Sequence, residues 1–312
     1  MRWRRCGLLI AVGVLASCGT HTRSSTGDRG DRSLKVAAAF YPIEEVVRSV
    51  GGDQVDLVTL VPPGNEAHEF EPTPRQLADL ESADVVFYLG GFQPNLETTI
   101  KALPESVEKV DLLAGIVMRK IGATLPGTGT DPELITGSND PHVWLDPANV
   151  QVMAADVAQV LATAAPSRAS DFTDAAANYS AALAKLDASF TTGLASCTST
   201  VVVTGHQAFG YLTGAYGLTQ VAIAGISPAE EPSAQTLEAV ARFAADNAVT
   251  TIFFEQNLPD GLSRTVADEI GARTAVLNTL ETLSSDQLDE GATYISVMEQ
   301  NLAALRAGLG CR

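Results

Sequence analysis

Histidine, cysteine and positive charge are all scarce in this chain. Lysine and arginine together number 20 against 37 acids, a formal net charge of −17. That balance excludes a nucleic-acid partner, because phosphates are held by neutralising them with basic side chains. An acidic surface fits a protein that attracts cations, and it equally fits plain solubility. The one apolar run near the start, Leu8 to Leu15, is too short to span a bilayer as a permanent helix. No His-Glu-x-x-His pattern is present, which removes the commonest helical signature of a zinc hydrolase.

The four cysteines divide by position. Arg2, Arg4 and Arg5 precede the apolar run, which leads into Leu15-Ala16-Ser17-Cys18. This is the pattern of a bacterial lipoprotein signal, in which cleavage leaves Cys18 as the lipidated N-terminus. An ordinary secretory signal with a chance cysteine is the alternative. Residues 1–17 are read as the signal, which carries away Cys6. Residues 18–33 have no apolar side chain worth burying and read as a flexible tether, with His21 in it and given no role. Cys197 and Cys311 remain. Export places them in an oxidising compartment, so a Cys197–Cys311 disulfide is expected, with two free buried thiols as the alternative.

The length suggests about two domains, and a hydrophobic content of 46% supplies two cores. Short apolar runs at 34–40, 55–61, 84–89 and 107–112 read as strands, and helical patterns alternate with them. Thr73-Pro74 and Asp146-Pro147 each pair a capping residue with proline at a first helical position. The 121–141 segment is rich in Gly, Thr, Pro and Asp and reads as a loop. From Pro166 the residues Phe172, Tyr179, Leu183, Leu186, Phe190 and Leu194 form one apolar stripe on a helix roughly 38 Å long. The alternation then repeats from Val201 to a last amphipathic helix, Tyr294 to Leu309. The expected fold is α/β: two lobes, each a mostly parallel sheet flanked by helices, joined by one long rigid helix. The boundaries are 34–165 for the first lobe, 166–195 for the helix and 196–312 for the second.

Three of the four histidines lie in this folded part, each in a turn after an apolar or β-rich run. They are His68 in Val61-Pro-Pro-Gly-Asn-Glu-Ala-His68, His142 in Asp140-Pro-His142-Val-Trp144, and His206 in Thr204-Gly-His206. Glu281 closes a similar run, Ala275 to Glu281. Loops at strand ends are where α/β folds build ligand sites. Three imidazoles and one carboxylate suit tetrahedral zinc, and the carboxylate lowers the charge of the complex from +2 to +1 in a half-buried cleft. Any one of these histidines alone reads better as structural; the three together read as a site. Glu66, Glu69, Glu71, Asp140 and Asp146 flank them, either raising the local cation concentration or, for Asp146, capping the helix behind it. Glu255 follows an apolar strand and reads either as a group orienting a ligand or as a plain buried hydrogen bond. Trp144 reads as packing.

At these residues the chain resembles the metal-binding solute-binding proteins of bacterial ABC importers that have a rigid helix between their lobes. The resemblance covers nearly the whole mature chain. It rests on the lipobox, Phe40-Tyr-Pro-Ile43, Val61-Pro-Pro-Gly64, His68-Glu-Phe-Glu-Pro72, Pro141-His142-Val-Trp-Leu-Asp146-Pro147, Gly205-His206-Gln-Ala-Phe209 and Phe253-Phe-Glu255. It implies a metal in the cleft, with His68 and His142 from the first lobe and His206 from the second. Histidine at 206 matches the zinc branch, where manganese members place glutamate. Many zinc members read Leu-Asp-Pro-Leu where this chain has Leu277-Asn278-Thr279-Leu280. Streptococcal-type members with a Leu-Asn-Pro-Leu-Glu run use the glutamate, which implies Glu281 as fourth ligand and places Asn278 behind the metal. The histidine-rich loop of many zinc members is here short and histidine-free. The implied function is a monomeric, lipid-anchored extracytoplasmic protein that delivers Zn2+ to the transmembrane subunits of an ABC permease. A manganese-binding homologue, a zinc hydrolase and an adhesin are the alternatives.

Overall fold

The computed structural model describes residues 32–121, 139–256 and 259–312. The expected signal, Cys18, His21, nearly all of the tether and most of the 121–141 loop lie outside the described residues.

The first lobe is built from β1 (Leu34–Ala38), α1 (Tyr41–Gly51), β2 (Val55–Thr59), α2 (Pro74–Glu81), β3 (Val85–Tyr88), α3 (Pro94–Lys101) and β4 (Glu108–Asp111). Its strands are all parallel, in the order β2-β1-β3-β4. Val36, Ala37 and Ala38 of β1 are all buried. A central parallel strand is covered by helices on both faces, so its sequence is continuously apolar rather than alternating. Thr73 caps α2 in a reciprocal pair with Gln76, satisfying two otherwise free amides. A single 3-10 turn at Val143–Leu145 leads into α4 (Pro147–Ala164), where Asp146 accepts from the Ala148 N–H.

The long helix α5 (Ala169–Leu194) has 26 residues, a length of roughly 39 Å. Pro166–Arg168 form a separate 3-10 turn before it. Its buried stripe is Phe172, Ala176, Tyr179, Leu183, Leu186, Phe190 and Leu194. The second lobe follows: β5 (Val201–Thr204), α6 (Gly210–Ala215), β6 (Thr219–Ala222), α7 (Ala234–Asp246), β7 (Thr251–Phe254), α8 (Gly261–Ile270), β8 (Arg273–Val276), α9 (Ser285–Asp289) and α10 (Tyr294–Leu309). Its sheet is again all parallel, in the order β6-β5-β7-β8. The two sheets therefore share one topology, a repeat that the letters do not display. Helix α5 packs along α4, on α1, and on α10 of the second lobe.

One apolar core runs through both lobes, from Val36, Phe40 and Phe87 through Trp144, Phe172 and Phe190 to Val202, Phe209, Phe253 and Leu277. A second cluster, including Val203, Ile223, Val240, Ile252 and Val266, covers the far face of the second sheet. Val202 and Val203 fall in different clusters because successive strand residues point to opposite faces. A core shared between lobes resists wide opening, which would return apolar surface to water. Cys197 and Cys311 form a disulfide, joining the chain just after α5 to the chain just after α10. Among the described residues no helix is long and apolar enough to cross a membrane.

Candidate metal centre

In both sheets the chain reverses direction of winding between the first and third strands, and crevices open there beyond the strands' C-terminal ends. His206 follows β5 and Glu255 follows β7, so this pair occupies the switch point of the second sheet. His68 lies on the loop after β2, His142 on the chain between β4 and α4, and Glu281 after β8. At the first sheet's switch point Phe40 and Phe92 pack together, ring centroids 4.5 Å apart. Phe92 in turn lies 4.5 Å from the His68 ring and 4.9 Å from Trp144. An aromatic floor thus supports the two first-lobe histidines.

The structure brings His68, His142, His206 and Glu281 together. One nitrogen from each histidine and one oxygen from Glu281 all lie within 4.8 Å of one another. Glu281 Oε1 is 3.6 Å from His68 Nε2, 3.5 Å from His142 Nε2 and 3.3 Å from His206 Nε2. All four side chains are buried, the most exposed of them, His68, at 6%. These separations are too long for good hydrogen bonds. They match the edge of a zinc tetrahedron, about 3.3 Å for metal–ligand bonds of about 2.0–2.1 Å. The three Nε2 atoms and Glu281 Oε1 are buried without a hydrogen-bond partner. Buried polar atoms are rarely left so, because each forfeits its hydration. Four such atoms converging on one point fit a metal ion.

The histidines are held so that these atoms face inward. Asp140 Oδ1 accepts from His142 Nδ1 at 2.8 Å and from its backbone N–H at 3.0 Å. Glu255 Oε1 accepts from His206 Nδ1 at 2.6 Å. A carboxylate can only accept, so each Nδ1 carries a proton, and in the neutral ring Nε2 is the atom open to a metal. Glu66 takes the backbone N–H of His68 at 2.7 Å and that of Glu69 at 2.9 Å, which tightens the His68 loop. Asn278 turns its side chain to the Leu280 N–H at 2.7 Å.

Titration follows from the same contacts. Burial disfavours the charged form of His206, but Glu255 and then Glu281 outweigh it and raise the group to about 10. Burial likewise works against His142, and Asp140 with Glu281 reverses the sign, so its pKa is raised. Burial pushes Glu281 up, while the contacts with His142, His206 and His68 hold it well below the usual carboxylate range. Without metal, the neighbouring carboxylates favour the charged form of His142 and His206, and the imidazoles favour the ionised form of Glu281.

Three further residues matter that the sequence did not single out for these roles. Asp140 was one of several flanking acids; its i, i+2 relation to His142 was the available signal. Tyr211 Oη accepts from the Arg119 N–H at 2.9 Å and donates to the Asp140 carbonyl at 3.1 Å, tying the Asp140 segment to α6. Asn301, on α10, pairs with the backbone of Asn278. Nothing in the sequence around these last two marked them.

Two parallel-sheet lobes, a long bridging helix and a buried donor set between them define a two-lobed metal-binding solute-binding protein. The chain belongs to the ZnuA family: the family model described as zinc-uptake complex component A, periplasmic, matches residues 36–308. It is 33% identical over 316 residues to the high-affinity zinc uptake system protein ZnuA of Bacillus subtilis, covering 99% of this chain and 98% of that one. It is 33% identical over 299 residues to the zinc-binding lipoprotein AdcA of Streptococcus pneumoniae, covering 90% of this chain and 57% of that longer protein. The crystal structure of the Zn(II)-bound ZnuA-like domain of that AdcA superposes with a TM-score of 0.75 at 32% identity, over 89% of this chain and 99% of the domain.

Proposed function

We propose that the protein captures Zn2+ between its lobes and delivers it to the transmembrane subunits of an ABC importer, with His68, His142, His206 and Glu281 as the four ligands. The observation that carries this is the convergence of three orphaned imidazole nitrogens on one orphaned carboxylate oxygen, which lies at tetrahedral-edge spacing from each of them. Three neutral nitrogens and one anion favour zinc over manganese, which prefers more ligands and oxygen ones. With Glu281 in the fourth position the set is closed, which suits carriage rather than hydrolysis of a bound substrate. Asp140 and Glu255 fix the imidazole tautomers, and the zinc exchanges places with the protons those imidazoles carry.

The working boundaries are residues 34–165 and 196–312 for the lobes and 166–195 for the helix between them. Cys18, lipidated after removal of residues 1–17, anchors the protein outside the cytoplasm at the cell membrane, and residues 18–33 give it reach. Two acyl chains on one cysteine supply the stable anchoring that a single chain does not. The test of the site is a zinc titration of chelator-stripped protein against a competing chelator. The parent binds one zinc per chain, and Glu281→Ala loses most of the affinity. Equal affinity in parent and variant removes Glu281 from the ligand set. For the anchor, Cys18→Ala leaves the membrane fraction; full retention there would overturn it.

A further inference from the structure

We infer that Asn301 is a positioning residue for the metal centre: acting through the backbone of Asn278, it holds the turn that aims Glu281 at the three imidazoles. The inference rests on Glu281 being a ligand.

Leu280, immediately before Glu281, is fully buried and has φ +57°. A leucine rarely adopts this left-handed conformation, so the surroundings must impose it. The direct hold is the Asn278 side chain, whose Oδ1 accepts from the Leu280 N–H at 2.7 Å. This two-residue side-chain turn replaces the backbone pairing lost where β8 ends. Asn278 is fixed in turn from α10. Asn301 Oδ1 accepts from the Asn278 N–H at 2.8 Å, and Asn301 Nδ2 donates to the Asn278 carbonyl at 2.8 Å.

The geometry explains why a carboxamide is needed there. β8 is the edge strand of its sheet. The Leu277 N–H still points inward, donating to the Phe254 carbonyl at 2.9 Å. Alternate residues of a strand direct their backbone groups to opposite sides, so those of Asn278 face the open edge. Asn301 supplies one donor and one acceptor in the place of a missing neighbouring strand. It is 2% exposed, and a buried amide away from any partner would be strongly disfavoured. The other side of the same segment is held by the first lobe: Trp144 Nε1 donates to the Thr279 carbonyl at 2.7 Å, and the Gly64 N–H reaches Thr282 Oγ1 at 2.8 Å. Asn301 is thus the hold that the second lobe itself contributes, and it persists whatever the first lobe does.

The experiment compares Asn301→Leu, Asn278→Leu, Asn278→Ser and Glu281→Ala with the parent. Each is titrated with zinc under a competing chelator, and each Co2+ complex is examined by d–d absorption, which reports coordination geometry. Metal-free thermal midpoints are recorded alongside. Asn301→Leu and Asn278→Leu should bind zinc about 10- to 100-fold more weakly, as loss of a group behind a ligand does, and their Co2+ spectra should depart from the parent's tetrahedral form. Asn278→Ser, whose hydroxyl can still accept from the Leu280 N–H, should recover most of the affinity and the parental spectrum. If Asn301→Leu fails to fold, Asn301→Asp, which keeps an acceptor for the Asn278 N–H and loses the donor to its carbonyl, decides. Lowered midpoints with parental affinity and spectra would make Asn301 and Asn278 purely structural and overturn the inference, while a loss in Glu281→Ala would leave the site reading standing. Parental binding by Glu281→Ala would overturn the site reading itself.

Discussion

Trp144 and Thr279 are hydrogen-bonded across the two lobes, the indole Nε1 donating to the Thr279 carbonyl at 2.7 Å. Each lies two residues from a metal-site side chain, His142 on one side and Glu281 on the other. The Tyr294 hydroxyl donates to the Trp144 carbonyl at 2.7 Å, so α10 grips the same point. Trp144 is fully buried and packs edge-on against Phe40 and Phe92. It does pack, as its sequence context suggested, and it also ties the segment carrying His142 to the segment carrying Glu281.

Trp144→Phe should keep the aromatic packing and leave the Thr279 carbonyl without its donor. An abandoned buried acceptor costs about 1–3 kcal/mol, so the metal-free midpoint should fall. Zinc should also leave faster, because Glu281 is less firmly kept near His142. Stopped-flow transfer of zinc to a chelator measures this; a parental release rate would show that the strap has no part in retention.

Asp140→Ala and Glu255→Ala should each weaken zinc binding by about 10- to 100-fold. Each removes the acceptor that keeps a proton on Nδ1, and the freed ring can place that proton on Nε2, where the metal must bind. The competing-chelator titration reads the effect. Parental affinity in both variants would mean that packing alone orients His142 and His206.

The three histidines that converge were legible because chemistry leaves few candidates, whereas Glu281 stood out among 37 acids only through the resemblance. The folded part holds three histidines, each beside a strand end, and the helix caps at Thr73, Asp146 and Ser233 mark boundaries through local contacts. What was not legible depends on partners distant in sequence. The order of the strands, and hence the meeting of His206 with Glu255, is decided by how units pack. Asn301 meets Asn278 only because α10 folds back along β8. The short helix α9, capped by Ser284 and Gln287, is too brief to show a period. The left-handed Leu280 has no sequence mark at all, since its conformation is imposed by neighbours.

The Cys197–Cys311 disulfide closes a loop with a sequence separation of 114. Limiting the unfolded chain over such a loop contributes about 4–5 kcal/mol in the chain-entropy account. Cys197→Ser/Cys311→Ser should lose stability of that order in urea unfolding, with zinc affinity of the folded protein little changed, because no ligand lies beside either cysteine. A parental unfolding midpoint would show that α10 is held by its packing on α5 alone.

Zinc binding should release protons at neutral pH, and its apparent affinity should rise with pH well beyond the range set by free histidine. In the metal-free protein His206 is raised to about 10, first against burial and then by Glu255 and Glu281, and His142 is raised by Asp140 and Glu281. A raised histidine stabilises the metal-free fold fully below its unfolded value of about 6.5, and that contribution fades as pH climbs toward the folded value. Glu281, held low by the imidazoles, acts in the opposite sense: its contribution is present above the unfolded carboxylate value and is lost as pH falls through the folded one. The metal-free protein therefore draws most from this centre in mildly acidic solution. Zinc requires neutral imidazoles, so it must expel the protons that His206 and His142 hold. Linkage then makes the affinity rise about tenfold per pH unit for each proton displaced. Calorimetric titration at pH 7 in buffers of differing ionisation heat should show between one and two protons released per zinc. Glu255→Gln, which removes the main support for the His206 cation, should reduce that number along with the zinc-induced rise in melting temperature between pH 5 and 8. Zinc binding without proton release at pH 7 would mean that the imidazoles are already neutral, and that Asp140 and Glu255 orient them without charging them.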